Sequence, residues 1–195
     1  DVLGVDLGGG GFISKIHNGL INYMKSGIMY SDLITTVSET YAEEIKLPYY
    51  GEGLNYALRL NSEDVYGIVN GIDYDKYNPA SDPALYYHYD VDNLENKYKN
   101  KIMLQKELGL NQNKNIPAVG FISRLVEEKG LDLIINIIDE LLQEDLQFIM
   151  LGTGDRKYEK IFEDLENKYP EKLSANITFN TDFAQKIYAG LDIFL

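Results

Sequence analysis

Along this chain the rhythm of apolar positions changes several times. Residues 118–123, 147–151 and 176–179 are short runs of mostly apolar and β-branched residues, as in strands buried on both faces. Between the first two runs, Leu131, Ile134, Ile138 and Leu141 recur at helical spacing, and Ile135, Ile137 and Leu142 widen that stripe. A helix over 130–143, lying between a sheet and solvent, follows from this pattern. Further helices are predicted over 158–169 and 184–189, and the apolar run from Asp192 to Leu195 reads as another strand.

The first third is less regular. Leu20, Ile21, Met24 and Ile28 predict a helix over 17–30, and Leu33 to Val37 a short strand. Ser38, followed by Glu39, offers a cap for a helix running to about Lys46, which Leu47-Pro48 would end. A short helix is expected near 54–60, then a strand over 65–69 with Asn70-Gly71 as the turn after it. A polar, tyrosine-rich connection broken by Pro79 and Pro83 leads to a charged helix over about 93–108, closed by Gly109.

Strands alternating with helices imply an α/β fold with a parallel, doubly wound, Rossmann-like sheet. The expected organisation is two units: residues 1–66 as the end of one α/β domain, and 67–195 as the start of a second. The chain opens on Asp1 without a methionine and stops in an apolar run, so it is expected to be an interior piece of a longer protein.

Composition narrows the function. Acidic residues number 31 against 18 basic ones, for a net charge of −13, which argues against nucleic-acid or anionic-membrane partners. No apolar run approaches the roughly 18 residues of a membrane span, and nothing at the start resembles a signal peptide. With no cysteine, thiolate metal sites and cysteine nucleophiles are excluded, and His17 and His88 lie too far apart to give a metal-ligand spacing. A cytoplasmic α/β protein is the expectation.

In an open parallel sheet, ligands bind on the loops beyond the carboxyl ends of the strands. Arg124 leaves such a strand end, and Lys129 follows five residues later at the start of the next helix. Two cations there suit a diphosphate, helped by the helix N-terminus; alternatively Lys129 pairs with Glu127 or Glu128 in a solvated loop. Gly152-Thr153-Gly154-Asp155 ends another strand, where glycines permit close backbone approach to a ligand, or where Asp155 merely caps a tight turn. The third glycine of a dinucleotide fingerprint would fall on Lys157, which disfavours NAD. The glycines at 8–11 lack a following Gly-Lys-Ser/Thr and read as a mobile loop. Asn70 and Asp73, near the junction of the two units, either form a turn or face a ligand; the many tyrosines read as amphipathic surface cover.

Six segments, in order, resemble the bacterial glycogen synthase and plant starch synthase family. They are Ile34 to Ile45, Tyr50 to Leu54, Asn70 to Asp73, Asn100-Lys101 with Leu104-Gln105, Arg124 to Leu133, and Leu151 to Asp155. The resemblance covers essentially the whole chain beyond about Ile16. It implies the middle of a two-domain, GT-B-type retaining hexosyltransferase, the first unit acceptor-side and the second nucleotide-sugar-binding. Such an enzyme moves glucose from ADP-glucose to the non-reducing end of an α-1,4-glucan, without a cofactor or divalent metal. Arg124 and Lys129 match the family's catalytic cations. Gly152, Thr153, Gly154 and Asp155 would line the nucleotide, with Asn70 and Asp73 near the glucosyl group.

The family's Lys-x-Gly-Gly loop and cleft histidine are not in this chain, and its Glu-x7-Glu segment would lie beyond Leu195. A tyrosine that commonly stacks on adenine would fall near Asn180; Phe179 is adjacent but, placed on a strand, should face the other way. That leaves a UDP-sugar transferase of the same architecture, or a non-catalytic nucleotide- or glucan-binding module, as alternatives. The 195 residues alone are expected not to transfer glucose and to self-associate through exposed edges.

Overall fold

The computed structural model describes residues 16, 17 and 20–195; the glycines at 8–11 lie outside the described residues. The chain divides into two compact units, Asp1–Ile72 and Asp73–Leu195.

In the first unit, β1 (Ile16–His17) and β2 (Leu20–Ile21) pair antiparallel. The helix expected from His17 therefore starts later, as α1 (Tyr23–Tyr30). Asn22 sets that start: its side chain accepts the Lys25 amide at 2.9 Å, an N-cap that ends the extended segment before it. β3 (Ile34–Thr36) is followed by α2 (Glu39–Glu44), capped as expected by the Ser38 hydroxyl on the Tyr41 amide. α3 (Asn55–Leu60) leads to β4 (Val65–Gly67), which pairs parallel with β3. Ile28, Ala42, Ile45, Ala57, Leu58 and Val65 form the core of this unit.

The domain boundary expected between residues 66 and 67 falls inside β4. Pairing with β3 holds that strand in the first unit, and the division comes six residues later. The strand predicted to reach Val69 ends at Gly67, where a Cβ would run into the Ser38 carbonyl and the start of α2; Ile68 and Val69 are exposed.

The second unit is a parallel sheet in the order β7-β6-β5-β8, with helices on both faces. Its strands are β5 (Ala118–Ile122), β6 (Gln147–Leu151), β7 (Leu173–Asn176) and β8 (Ile193–Phe194). The helices are α4 (Glu95–Glu107), α5 (Leu131–Leu141), α6 (Arg156–Lys168) and α7 (Thr181–Gly190). Alternation along β6 sorts the two cores. Phe148 and Met150 face α5 and α6, with Leu131, Ile138, Tyr158 and Phe162; Ile149 and Leu151 face α4 and α7, with Leu104 and Ile187. Ile137, placed on the apolar stripe of α5 by its sequence, is instead 54% exposed.

Several boundaries moved, α7 among them, which begins three residues before the predicted Ala184. α6 begins two residues before the predicted Tyr158, and β7 lies three residues before the predicted 176–179. Leu173 pairs with Phe148 and is almost wholly buried, which fixes the strand's register and leaves Thr178 and Phe179 outside the sheet.

The charged helix α4 is tied down by buried polar groups. The Lys101 ammonium donates to Asp192 and to the Lys114 carbonyl; Asn100 bonds the Tyr87 backbone in both directions; Gln105 donates to Gln147 at 2.8 Å and exchanges bonds with Asn113. The family-like residues of this helix thus hold the fold, and of them Lys101, with its partner Asp192, also lines a small cavity between α4 and the end of α7. Among the described residues no helix is long and apolar enough to cross a membrane.

Candidate functional site

β5 and β6 run side by side and their following loops stay in register beyond the sheet. The Ser123 amide donates to the Leu151 carbonyl, the Leu125 amide to the Thr153 carbonyl, and the Asp155 amide to the Leu125 carbonyl. A parallel bridge between Leu125 and Gly154 closes this extension. Leu125 itself is fully buried, so its neighbour Arg124 turns outward and is exposed.

Beyond the strand ends lies a cavity of about 190 Å³, walled by Ser123 and Arg124 after β5, Gly152 and Thr153 after β6, Phe179 and Asn180 before α7, and Thr181 at its start. This is where a doubly wound sheet places its ligands. α7 points its N-terminus at the cavity, capped by the Asn180 side chain on the Phe183 amide at 2.9 Å. Phe179 is 86% exposed, its ring free to cover a flat ligand. The strand prediction that turned this ring away is thereby corrected: Phe179 sits on the loop after β7 and lines the same cavity as Arg124.

Lys129, Gly154 and Asp155 are not part of that wall. Lys129 ends a one-turn 3₁₀ helix (Glu127–Lys129), and Gly130, in the left-handed conformation at φ 69°, separates it from α5. The cation therefore ends a turn of its own, with one residue between it and the α5 start. Among the described residues neither Arg124 nor Lys129 has a side-chain hydrogen bond or ion pair within the chain, so the pairing of Lys129 with Glu127 or Glu128 is not found.

The glycines of the 152–155 loop have a packing requirement of their own. A Cβ on Gly152 would overlap the Ser123 carbonyl oxygen, and one on Gly154 the Leu125 carbonyl oxygen. They let the two loops pack backbone to backbone. The loop amides are also mostly spent: Gly152 donates to Asn176, Gly154 to the Glu159 carboxylate at 3.2 Å, and Asp155 to Leu125. Thr153 is left, among the described residues, as the loop amide with no partner, and it lies on the cavity wall. Asp155 holds the cap position of α6 without a side-chain cap bond.

Asn70 and Asp73 are exposed. The Asp73 carboxylate accepts the amides of Asp75 and Lys76, a cap of its own turn. Asn70-Gly71 is plain coil rather than the expected turn. Gly71 has no left-handed φ, and nothing lies within 4 Å of where its Cβ would be.

Behind the site, the Tyr158 hydroxyl reaches Asp132 at 3.1 Å, and the Lys157 ammonium rests 4.3 Å from the Tyr158 ring centroid. The Tyr158 side chain first, then the charges of Asp132 and Glu127, hold the Lys157 pKa above the usual lysine value.

The family model for the starch synthase catalytic domain matches residues 12–60. Over 177 residues, 91% of the chain, it is 54% identical to a glycogen synthase of Pseudothermotoga lettingae and 55% identical to one of Thermotoga maritima. A glycogen synthase of Clostridium acetobutylicum is 56% identical over 181 residues. The chain spans about 36% of the length of the first two of these relatives. Among solved structures, the catalytic domain of starch synthase IV from Arabidopsis thaliana, bound to ADP and acarbose, superposes with a TM-score of 0.85 at 36% identity. That match covers 89% of this chain and 36% of the other. HepE of Anabaena in complex with UDP, at 18% identity and a TM-score of 0.52, shares the fold. The α/β architecture is thus that of GT-B glycosyltransferases.

Proposed function

We propose that this chain, a relative of glycogen and starch synthases over nine tenths of its length, carries the nucleotide-binding half of the donor site of such an enzyme. The complete protein would transfer glucose from ADP-glucose to the non-reducing end of an α-1,4-glucan with retention, in the cytoplasm. The observation that carries this reading is the convergence of Arg124, Thr153 and Phe179 on one cavity beyond the ends of β5 and β6.

The chemistry follows from what builds up there. As the glycosidic bond to ADP breaks, its electron pair goes to the β-phosphate oxygen, so negative charge grows on the diphosphate. Fixed cations that bind this charge more strongly than the intact donor lower the barrier. Arg124 supplies a forked donor with no competing carboxylate, and Lys129 a mobile point charge. The Thr153 amide and the α7 N-terminus add neutral donors, while Phe179 offers its face to the base. Asn70 and Asp73 are assigned to the glucosyl group of the donor. In our reading the 195 residues alone transfer no glucose and self-associate along β8, whose Ile193 and Phe194 are half exposed.

The test is glucose incorporation into glycogen by the full-length protein, with radiolabelled ADP-glucose and UDP-glucose side by side. Transfer at least tenfold faster from ADP-glucose is expected. Preference for UDP-glucose would move the protein to the UDP-sugar transferases, and nucleotide binding without transfer would make it a binding module.

A further inference from the structure

The two loops that carry Arg124, Lys129 and Thr153 are fastened to each other a second time, outside the cavity wall. Tyr158 lies in the first turn of α6, three residues after Asp155. Asp132 lies in the first turn of α5, three residues after Lys129. Their side chains meet at 3.1 Å, and the Tyr158 ring is wholly buried among Leu131, Phe162 and their neighbours. A buried phenol needs a partner, and the partner chosen here belongs to the other helix start. The Lys157 ammonium lies over the ring, 4.3 Å from its centroid.

Arg124 is held by the backbone bridge between the loops, but Lys129 has no such anchor. Beyond Leu125 the chain makes its own 3₁₀ turn, breaks at Gly130 and only then enters α5. The Lys129 amide donates to the Val126 carbonyl of that turn at 3.1 Å, so the position of Lys129 is set from two sides, by this turn and by where the first turn of α5 sits. We propose that Tyr158 and Asp132 are positioning residues: their hydrogen bond sets the start of α5 against the start of α6 and so fixes Lys129 relative to Arg124. This rests on the reading of those two cations as the diphosphate clamp.

A misplacement of about 1 Å in a catalytic group is enough to cost on the order of a hundredfold in rate, so a loosened brace should be visible in turnover. In the full-length protein, Tyr158→Phe is expected to lower kcat by about 5- to 30-fold with the KM for ADP-glucose within about twofold. Asp132→Ala should do the same. Asp132→Asn, which keeps an oxygen acceptor but removes the charge, should stay within about twofold of the wild type, setting the hydrogen bond apart from an electrostatic effect on the helix. Amide hydrogen exchange at residues 129–133 should speed up at least tenfold in Tyr158→Phe and remain near wild type in Asp132→Asn. Unchanged exchange in Tyr158→Phe would overturn the brace, as would a loss of turnover in Asp132→Asn equal to that in Asp132→Ala. If the wild-type protein transfers no glucose, the function proposed above falls, while the exchange measurement still decides whether Tyr158 and Asp132 fix the Lys129 segment.

Discussion

The carbonyl oxygen of Leu125 occupies the space that a side chain on Gly154 would need, and Ser123 does the same to Gly152. The two strand-end loops are one fused piece of backbone, and the site's geometry starts from that fusion.

Gly152→Ala and Gly154→Ala are therefore expected to destabilise the second unit by about 2–3 kcal/mol through overpacking. Gly71→Ala, at a position with open space and an ordinary φ, should leave stability unchanged or raise it by about 0.4–1 kcal/mol. Urea denaturation of the three variants checks this. Loss of nucleotide binding with full stability in Gly152→Ala would show instead that the glycine makes room for a ligand.

Much of this was legible in the sequence because the strands of the second unit are buried on both faces. Runs such as Phe148 to Leu151 have no other use, and the helical stripe of Leu131 and Ile138 fits between sheet and solvent. The placement of candidate residues was legible where it follows from topology, as for Arg124 just beyond the end of β5. It was not legible where long-range pairing decides. The β-branched run 176–179 looks more like a strand than Leu173–Asn176, yet pairing of Leu173 with Phe148 wins. That shift released Phe179 into the cavity, and no local signal announces it. Nor does propensity show that Asn100, Lys101 and Gln105 are spent on buried hydrogen bonds, since their partners lie up to 91 residues away.

Replacing Arg124 or Lys129 by Ala in the full-length protein is expected to raise the barrier to turnover by about 2–4 kcal/mol. Neither side chain has a partner to lose, so the melting temperature should stay within a degree or two. Asn70→Ala should behave alike, lowering specific activity with stability intact, because Asn70 is exposed and forms no turn. Steady-state kinetics read beside a thermal melt decides; normal turnover in both cation variants would remove them from the mechanism.

The Lys101 and Asp192 pair should respond asymmetrically. The Lys101 side chain is 3% exposed and the Asp192 side chain 34%. Asp192→Ala strands a buried ammonium and also takes the acceptor from the Ala118 amide, so a loss of about 2–3 kcal/mol is expected. Lys101→Met removes the charge but keeps the volume, and leaves a carboxylate that water can reach; about 1 kcal/mol is expected. Equal losses in chemical denaturation would mean that the attraction itself, and not the burial of Lys101, dominates.

Phe179 gives the sharpest separation between binding and folding. Its ring is 86% exposed and takes no part in either core, so truncation removes no packing. If the ring covers the base, Phe179→Ala should weaken ADP binding by about 1–3 kcal/mol, the usual worth of an aromatic platform under a nucleobase. Inorganic pyrophosphate, which has no base, should bind the variant as it binds the wild type, because its affinity comes from Arg124 and Lys129. Phe179→Tyr keeps the π-face and should keep ADP affinity within about twofold. Titration calorimetry with ADP and pyrophosphate on the three proteins measures all of this. Equal weakening of both ligands in Phe179→Ala would mean that the loop before α7 shapes the phosphate site instead, and an unchanged ADP affinity would mean that the base lies elsewhere.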